Sequence, residues 1–358
     1  MDQAVSQSFC TAFGLAHPII QAPMAGTSTP AMAAAVSNAG GLGSIAIGAM
    51  DAHGADKVIA ELKSLTGAAF NVNVFAHRPA QADAAREARW LEALAPLFEA
   101  HGAPPPAALN TIYKSFDEDE AMLDVLIARA PRVVSFHFGL PRARKIQALK
   151  DAGCVLFASA TNLYEALACE AAGIDAIVAQ GFEAGGHRGV FDPDAPDEKL
   201  GALQLTRTLV RETNVPIIAA GGIMDGAGIA EALRAGAVAA QLGTAFIACA
   251  ESSASAAHRD ALFGEGAART LMTRAISGRP ARCLPNAFTA WEAEHGGLRA
   301  PDYPRAYDAG KALHKGASAK GEHGFGAHWA GAGASRARAM GAAEIVATLA
   351  QELESAWP

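Results

Sequence analysis

Ala176-Ile-Val-Ala-Gln180-Gly-Phe-Glu-Ala-Gly185-Gly-His-Arg-Gly189 is the stretch around which the rest of the chain is read. Its first residues, Ala176 to Ala179, form a short apolar run of the kind that fills a strand buried on both faces. At Gln180-Gly181 the run breaks into a loop carrying Glu183, Gly185, Gly186, His187, Arg188 and Gly189. Glycines let backbone amides approach a ligand, and a histidine among them exchanges protons near neutral pH. A polar, glycine-rich loop at the carboxyl end of a buried parallel strand is where α/β enzymes place their chemistry.

Outward from this loop, the same unit recurs. Short apolar runs at Pro18–Met24, Leu42–Ile47, Phe70–Phe75, Val133–Phe138, Val155–Ser159, Pro216–Ala220 and Ala239–Gly243 are each followed by small or polar residues and then a helical segment. Asp151-Ala-Gly153, Ala171-Ala-Gly173 and Arg234-Ala-Gly236 end three of those helices with a glycine cap. Roughly eight strand–helix units over about 250 residues is the rhythm of a TIM (β/α)8 barrel. The rival, a doubly wound sheet, would carry Gly-x-Gly-x-x-Gly after its first strand, and none occurs. The expected organisation is a barrel over 1–250, a lid lobe over 251–328 inserted after the last strand, and a segment over 329–358 whose terminal helix returns to the barrel. Helical periodicity also marks 82–100 and 117–130 in the long connection after the third strand.

The chain has 358 residues, half of them hydrophobic, and a formal net charge of -7. No basic stripe with interleaved aromatics appears, which argues against nucleic acid as a partner. Five scattered cysteines without Cys-x-x-Cys suit a reducing compartment and speak against a structural metal site. Thr11 to Met50 lacks Asp, Glu, Lys and Arg, but prolines, glycines, Gln21 and Asn38 interrupt it, so no membrane span is expected. With no basic, apolar signal peptide at the start, the expected location is cytoplasmic.

Two further glycine-rich strand ends follow the organising loop: Ala219-Ala-Gly-Gly-Ile-Met-Asp225 and Gln241-Leu-Gly-Thr-Ala-Phe246. Loops after the seventh and eighth strands of such barrels often bind phosphate through backbone amides. The competing reading is a pair of tight turns that need positive φ. A bound phosphate implies a phosphorylated substrate or a cofactor such as FMN.

With Pro18-Ile-Ile-Gln-Ala-Pro-Met-Ala-Gly26, Gly40-Gly-Leu-Gly-Ser44, Asn71-Val-Asn73 and Val133-Val-Ser-Phe-His-Phe-Gly139 added, the motifs run through nearly the whole barrel in order. The chain resembles the flavin-dependent nitronate monooxygenases, formerly called 2-nitropropane dioxygenases. The resemblance implies an FMN-binding barrel with the flavin at its carboxyl face. Gln21, Pro23, Met24, Asn71, Gln180, Gly185 and Gly186 would lie near the cofactor, and Gly221, Gly222, Gln241, Leu242, Gly243 and Thr244 near its phosphate. His187 matches the family's active-site histidine, able to take the α-proton of a nitroalkane or to orient a nitronate.

In the lobe, Tyr303, Tyr307 and Lys311 are spaced four apart and would share one helix face. This spacing is similar to that of the family's bacterial class, where such residues line the substrate site, and by the same resemblance Tyr113 would answer to a further tyrosine there. Two phenols and an ammonium suit a small anion such as propionate 3-nitronate. His137 shares its strand alternation with Ser135 and is read as either a flavin neighbour or a satisfied core group. Glu183 and Arg188 are expected to form a local ion pair, and His258-Arg259 to lie on exposed helix surface. Trp329-Ala-Gly-Ala-Gly-Ala334 resembles a segment returning to the active site. Ala332 replaces its usual polar residue, so no catalytic role is assigned there.

The expected function is an FMN-dependent monooxygenase that oxidises alkyl nitronates with O2 to a carbonyl compound and nitrite or nitrate, as a possible homodimer. Alternatives are an FMN-dependent NAD(P)H reductase of a quinone or enoyl thioester, a non-catalytic flavin-binding protein, and a phosphate-binding barrel without flavin.

Overall fold

The computed structural model describes residues 3–357. Eight parallel strands form the barrel: β1 (Ile19–Gln21), β2 (Gly43–Ala46), β3 (Phe70–Phe75), β4 (Val133–His137), β5 (Val155–Ala160), β6 (Ala176–Gln180), β8 (Ile217–Ala220) and β9 (Ala239–Leu242). A two-residue strand, β7 (Gly186–His187), lies between them in sequence but outside the barrel. The strand order is β1-β9-β8-β6-β5-β4-β3-β2, and a bridge from Ile20 to Leu42 closes the ring.

The helices α1 (Gln3–Phe13), α2 (Pro30–Asn38), α3 (Ala52–Leu65), α4 (Ala84–Ala100), α5 (Glu120–Arg129), α6 (Ala143–Asp151), α7 (Leu163–Ala171), α8 (Ala202–Glu212) and α9 (Gly226–Arg234) follow in order. Most begin at a residue suited to accept a backbone N–H. Thr29, Asp51, Asp83, Asp119, Asn162 and Asp225 cap their helices through the side chain. The expected glycine stops are present: Gly153, Gly173 and Gly236 all have positive φ.

Between β9 and the closing helix lies the lobe, with α10 (Ala256–Leu262), β10 (Leu271–Thr273), β11 (Ala281–Cys283), α11 (Ala287–Glu294) and α12 (Arg305–Ser318). The closing helix, α13 (Ala342–Ala356), packs against α9 and α2 and serves as the barrel's eighth outer helix. Ile345, Val346, Leu349 and Leu353 are buried there. The lobe is thus an insertion between the last barrel strand and its own helix.

Two features differ from the sequence reading. α4 does not belong to the barrel's core: Trp90, Leu94 and Phe98 pack with Ile276, Phe288, Trp291 and Leu313 of the lobe. The lobe therefore takes in a helix from the long connection, because that connection's apolar face finds its partners there. α1, which the sequence reading left unassigned, is the second. Its Phe9 and Phe13 pack on Phe157 at the barrel's amino end, with centroid separations of 6.2 and 5.7 Å.

Inside the barrel the lower layers are apolar, with Ile20, Val133, Phe157, Val178 and Ile218. On β3 the outward Val72 and Val74 meet the helices, while Asn71 and Asn73 point inward. No helix among the described residues is long and apolar enough to cross a membrane.

Candidate active site

A cavity of about 450 Å3 opens at the carboxyl face of the barrel beneath the lobe. That is within the usual size range for a small-molecule or cofactor site. Pro23, Met24, Gln180, Gly185, Gly186, Gly221, Gly222, Gln241, Gly243 and Thr244 all line it, as do His137, His187, Tyr113, Tyr303, Tyr307 and Lys311.

Three expected cofactor residues lie elsewhere. Gln21 is fully buried, its Oε1 accepting from Ser44 N at 2.8 Å and its Nε2 donating to Ser28 Oγ at 2.9 Å, so it braces the β1 loop. Asn71 sits one inward position below the cavity and donates to Ser44 Oγ at 3.2 Å; Asn73, two residues on, reaches the cavity wall. Leu242 points outward into the apolar cluster around α13. Strand alternation separates Leu242 from its inward neighbours Gln241 and Gly243.

The organising loop is held from several sides. Arg188, 1% exposed, donates to Asp197 at 2.8 and 3.0 Å and to the carbonyls of Gln180 and Gly181. Glu183 instead accepts from Ala202 N at 2.9 Å and caps α8. The two side chains do not pair, since the loop turns the guanidinium inward and the carboxylate toward the helix N-terminus. Gln180 donates to the His187 carbonyl and accepts from Gly189 N. β7 pairs antiparallel with β11, so one lobe strand sets the height of His187.

The lobe also supplies Ser277, whose Oγ lies 2.8 Å from His187 Nε2. Ser277 Oγ also lies 3.3 Å from the Arg279 carbonyl, which offers its hydroxyl proton an acceptor and leaves the oxygen able to accept from His187 Nε2–H. In that tautomer the imidazole carries its proton on Nε2, and Nδ1 has no protein partner among the described residues. Burial, with His137 and Arg279 nearby, pushes the His187 pKa down to about 3, so the ring is neutral at pH 7. His137 bonds Ser159 Oγ at 2.9 Å and the His187 carbonyl at 3.2 Å. It is a satisfied polar group on the wall, held down to about 4 mainly by burial.

Tyr303 precedes α12 rather than lying on it, while Tyr307 and Lys311 share one face of the helix. With Tyr113 they still converge: the three tyrosine rings are 6.0–6.4 Å apart. Lys311 Nζ lies 5.5 Å from the Tyr113 ring and 5.2 Å from the Tyr307 ring. Burial raises the Tyr113 and Tyr307 pKa values to about 12, which keeps both phenols as donors.

Phe75, Phe138 and Ser159 also line the wall without having been singled out for it from the sequence. Phe138 has φ +74, an uncommon conformation for a bulky residue, and its ring lies 4.5 Å from His137 and 5.5 Å from both His187 and Tyr303. The Phe138-Gly139 pair that ends β4 is the sequence signal for this turn.

Trp329 does return to the site, with its ring 5.0 Å from His187. Beyond it, Gly331 N donates to Thr244 Oγ1 and Ala332 N to the Glu183 carbonyl, both at 2.9 Å. Behind this segment His258 is buried rather than exposed: its Nε2 contacts the Trp329 carbonyl at 3.1 Å and its ring stacks on His328. Arg259 is half-buried and spends its guanidinium on carbonyls that include Cys249 and Ser252.

The cavity's polar groups fit a flavin phosphate and ring. Gly221 and Gly222 have φ +124 and +70 and leave backbone rather than side chain at the wall. The Gln241 side chain, though on the wall, has no protein partner among the described residues. Among those residues no cluster of His, Cys, Asp and Glu could hold a metal.

Residues 7–352 match the family model described as nitronate monooxygenase. The chain belongs to the nitronate monooxygenase family. It is 61% identical over 353 residues to a nitronate monooxygenase of Paraburkholderia phytofirmans, covering 99% of this chain and 96% of that protein. A nitronate monooxygenase of Pseudomonas aeruginosa is 53% identical, with 98% and 99% covered. Among solved structures, a nitroalkane oxidase from Streptomyces ansochromogenes superposes with a TM-score of 0.88 at 40% identity, covering 97% of this chain and 98% of that one. FabK from Thermotoga maritima follows at 0.74 and 28% identity, over 97% and 96%. Nitronate monooxygenase membership thus agrees with the barrel, its cavity and the placement of His187.

Proposed function

We propose that this nitronate monooxygenase acts on a small alkyl nitronate with a second negative charge, such as propionate 3-nitronate, and that its flavin is FMN. One observation carries the substrate reading: a neutral imidazole and a Tyr/Tyr/Lys cluster face the same cavity.

Lys311 with Tyr113 and Tyr307 would bind the distal carboxylate as cation and phenol donors. Pro23, Met24 and Asn73 would border the flavin ring. Gly222, Gly243 and Thr244 would hold its phosphate through backbone N–H groups. When bound, the flavin supplies electron acceptance and reactivity toward O2.

The protein's own share is position and proton control. His187 Nδ1, unprotonated, can take an α-proton from a neutral nitroalkane or steer the anionic nitronate. Ser277 fixes the tautomer that makes this possible. Phe138, Tyr303 and Trp329 exclude water around the reacting carbon and strengthen each charged contact there.

The test is an anaerobic titration of the flavin-loaded protein. Propionate 3-nitronate should bleach the flavin bands and, under air, release nitrite; NADH should not bleach them. Bleaching by NADH alone would instead make the protein a reductase, and no turnover of any nitronate would refute the proposal.

A further inference from the structure

Tyr303 stands between the main cavity and a second, much smaller space. That space, about 20 Å3, is lined by Arg78, Asp194, Arg274, Arg279, Arg299 and Asp302, and Tyr303 borders both chambers. It is large enough for one water or one small ion. Loops of the barrel and of the lobe meet here. Gly278, at φ +91, is pressed so closely on Pro301 and Tyr303 that a Cβ would lie 2.3 Å from the Pro301 carbonyl oxygen.

The charges lining the space do not balance. Four guanidiniums face two carboxylates. Asp194 is shared by Arg78 at 2.6 Å, Arg299 at 3.0 Å and Arg274 at 3.5 Å. Asp302 is engaged by Arg86 at 3.0 Å, and Arg78 also reaches Asp192 at 3.4 Å.

Arg279 has no carboxylate partner among the described residues. It is 2% exposed, donates through Nη2 to the Val190 carbonyl, and sits 4.3 Å over the Phe138 ring. Its buried Nε has no hydrogen-bond partner among the described residues. Glu165 acts on it electrostatically, but that carboxylate accepts instead from Thr161 N, Thr161 Oγ1 and Phe191 N.

A buried N–H without an acceptor is costly, and native proteins satisfy nearly all such groups with protein, water or ions. Water would satisfy Nε but leave the excess charge; an anion answers both. We propose that this pocket is a binding site for one small monoanion, of the size of a halide or nitrite, held by the Arg279 Nε–H with Arg274, Arg78 and Arg299 at its rim. The ion could be a halide from the medium or nitrite from turnover. Only the nitrite source rests on the proposed function; the halide measurements stand without it.

The test uses the flavin-loaded protein with bromide as the probe. Crystals soaked in bromide should show an anomalous peak within hydrogen-bond distance of Arg279. In solution, bromide should raise the melting temperature more than gluconate at equal ionic strength. Arg279→Met should weaken the bromide effect about tenfold, the usual consequence of losing one charge-assisted hydrogen bond. Arg299→Gln, at an exposed rim position and so independent of core folding, should weaken it several-fold. Nitrite added to the bromide soak should remove the anomalous peak if turnover supplies the ion, whereas a peak that persists assigns the site to halide. The proposal is overturned if only water occupies the pocket, or if bromide and gluconate act alike. It is equally overturned if Arg299→Gln changes nothing, or if occupancy appears solely at molar bromide, an adventitious ion only.

Discussion

His187 is a side chain whose chemistry comes from its surroundings. A histidine in water is half-protonated near neutral pH, whereas burial and nearby positive charge hold this one neutral far below that. His187→Asn should therefore lower kcat/KM for nitronate by about 10²- to 10⁴-fold if proton handling limits the rate. Steady-state assays with matched flavin content would measure it. The free enzyme's profile carries a further expectation. Because the His187 pKa is lowered to about 3, kcat/KM should show no acid limb from this residue between pH 5 and pH 8. A limb centred on an ordinary histidine pKa would count against the assigned environment. At this scale, His187 itself stood out in the sequence, since it lies among glycines with little packing reason to be there. Its Ser277 partner did not, because the two lie 90 positions apart and no spacing rule joins them.

At the level of elements, the active-site loop and the returning segment form one clasp. Gly185 has no room for a side chain: a Cβ would meet Gly331 N at 2.4 Å, backbone against backbone. Gly185→Ala should cost about 1–3 kcal/mol, the range for overpacking a tight contact. Part of that cost should appear as weaker flavin retention, read by denaturant unfolding and by flavin content after dialysis. α1 gives a contrasting case. Phe9 is 8% exposed and packs on Phe13 and Phe157, far from the carboxyl face. Phe9→Ala should destabilise by about 3 kcal/mol, in line with large-to-small core changes, while kcat at 25 °C stays unchanged. A loss of kcat with flavin content intact would show that α1 communicates with the site. Strand alternation puts Asn71 and Asn73 on one side of β3 but could not say which layer ends at the cavity. That depends on the barrel's stagger, which places Asn73 at the wall and Asn71 below it.

The whole molecule contains several histidines whose burial lowers them to about 4: His77, His137, His258 and His328. Between about pH 6.5 and 4 the unfolded chain binds protons at these sites that the folded chain does not. Stability therefore rises with pH across this window, is complete above it, and is lost progressively as pH falls through it. The urea midpoint should drop steadily from pH 7 to pH 5, and His258→Gln should flatten that slope. An unchanged midpoint would contradict neutral burial of these groups.

What the sequence determined by itself was the barrel, the glycine-rich loop that carries His187 and most residues around the cavity. Each is written in local terms: apolar runs of strand length, glycine caps, and motifs at strand ends whose alternation gives their facing. The tertiary structure alone decided the rest. It recruited α4 to the lobe, turned Arg188 toward Asp197 and Glu183 toward α8, buried His258, and set Ser277 against His187. Each of these depends on which surface of a distant element is closest after the lobe folds over the barrel. A charge or an apolar face shows in the sequence; its partner is chosen by packing, where several candidates of equal chemistry compete and geometry admits one.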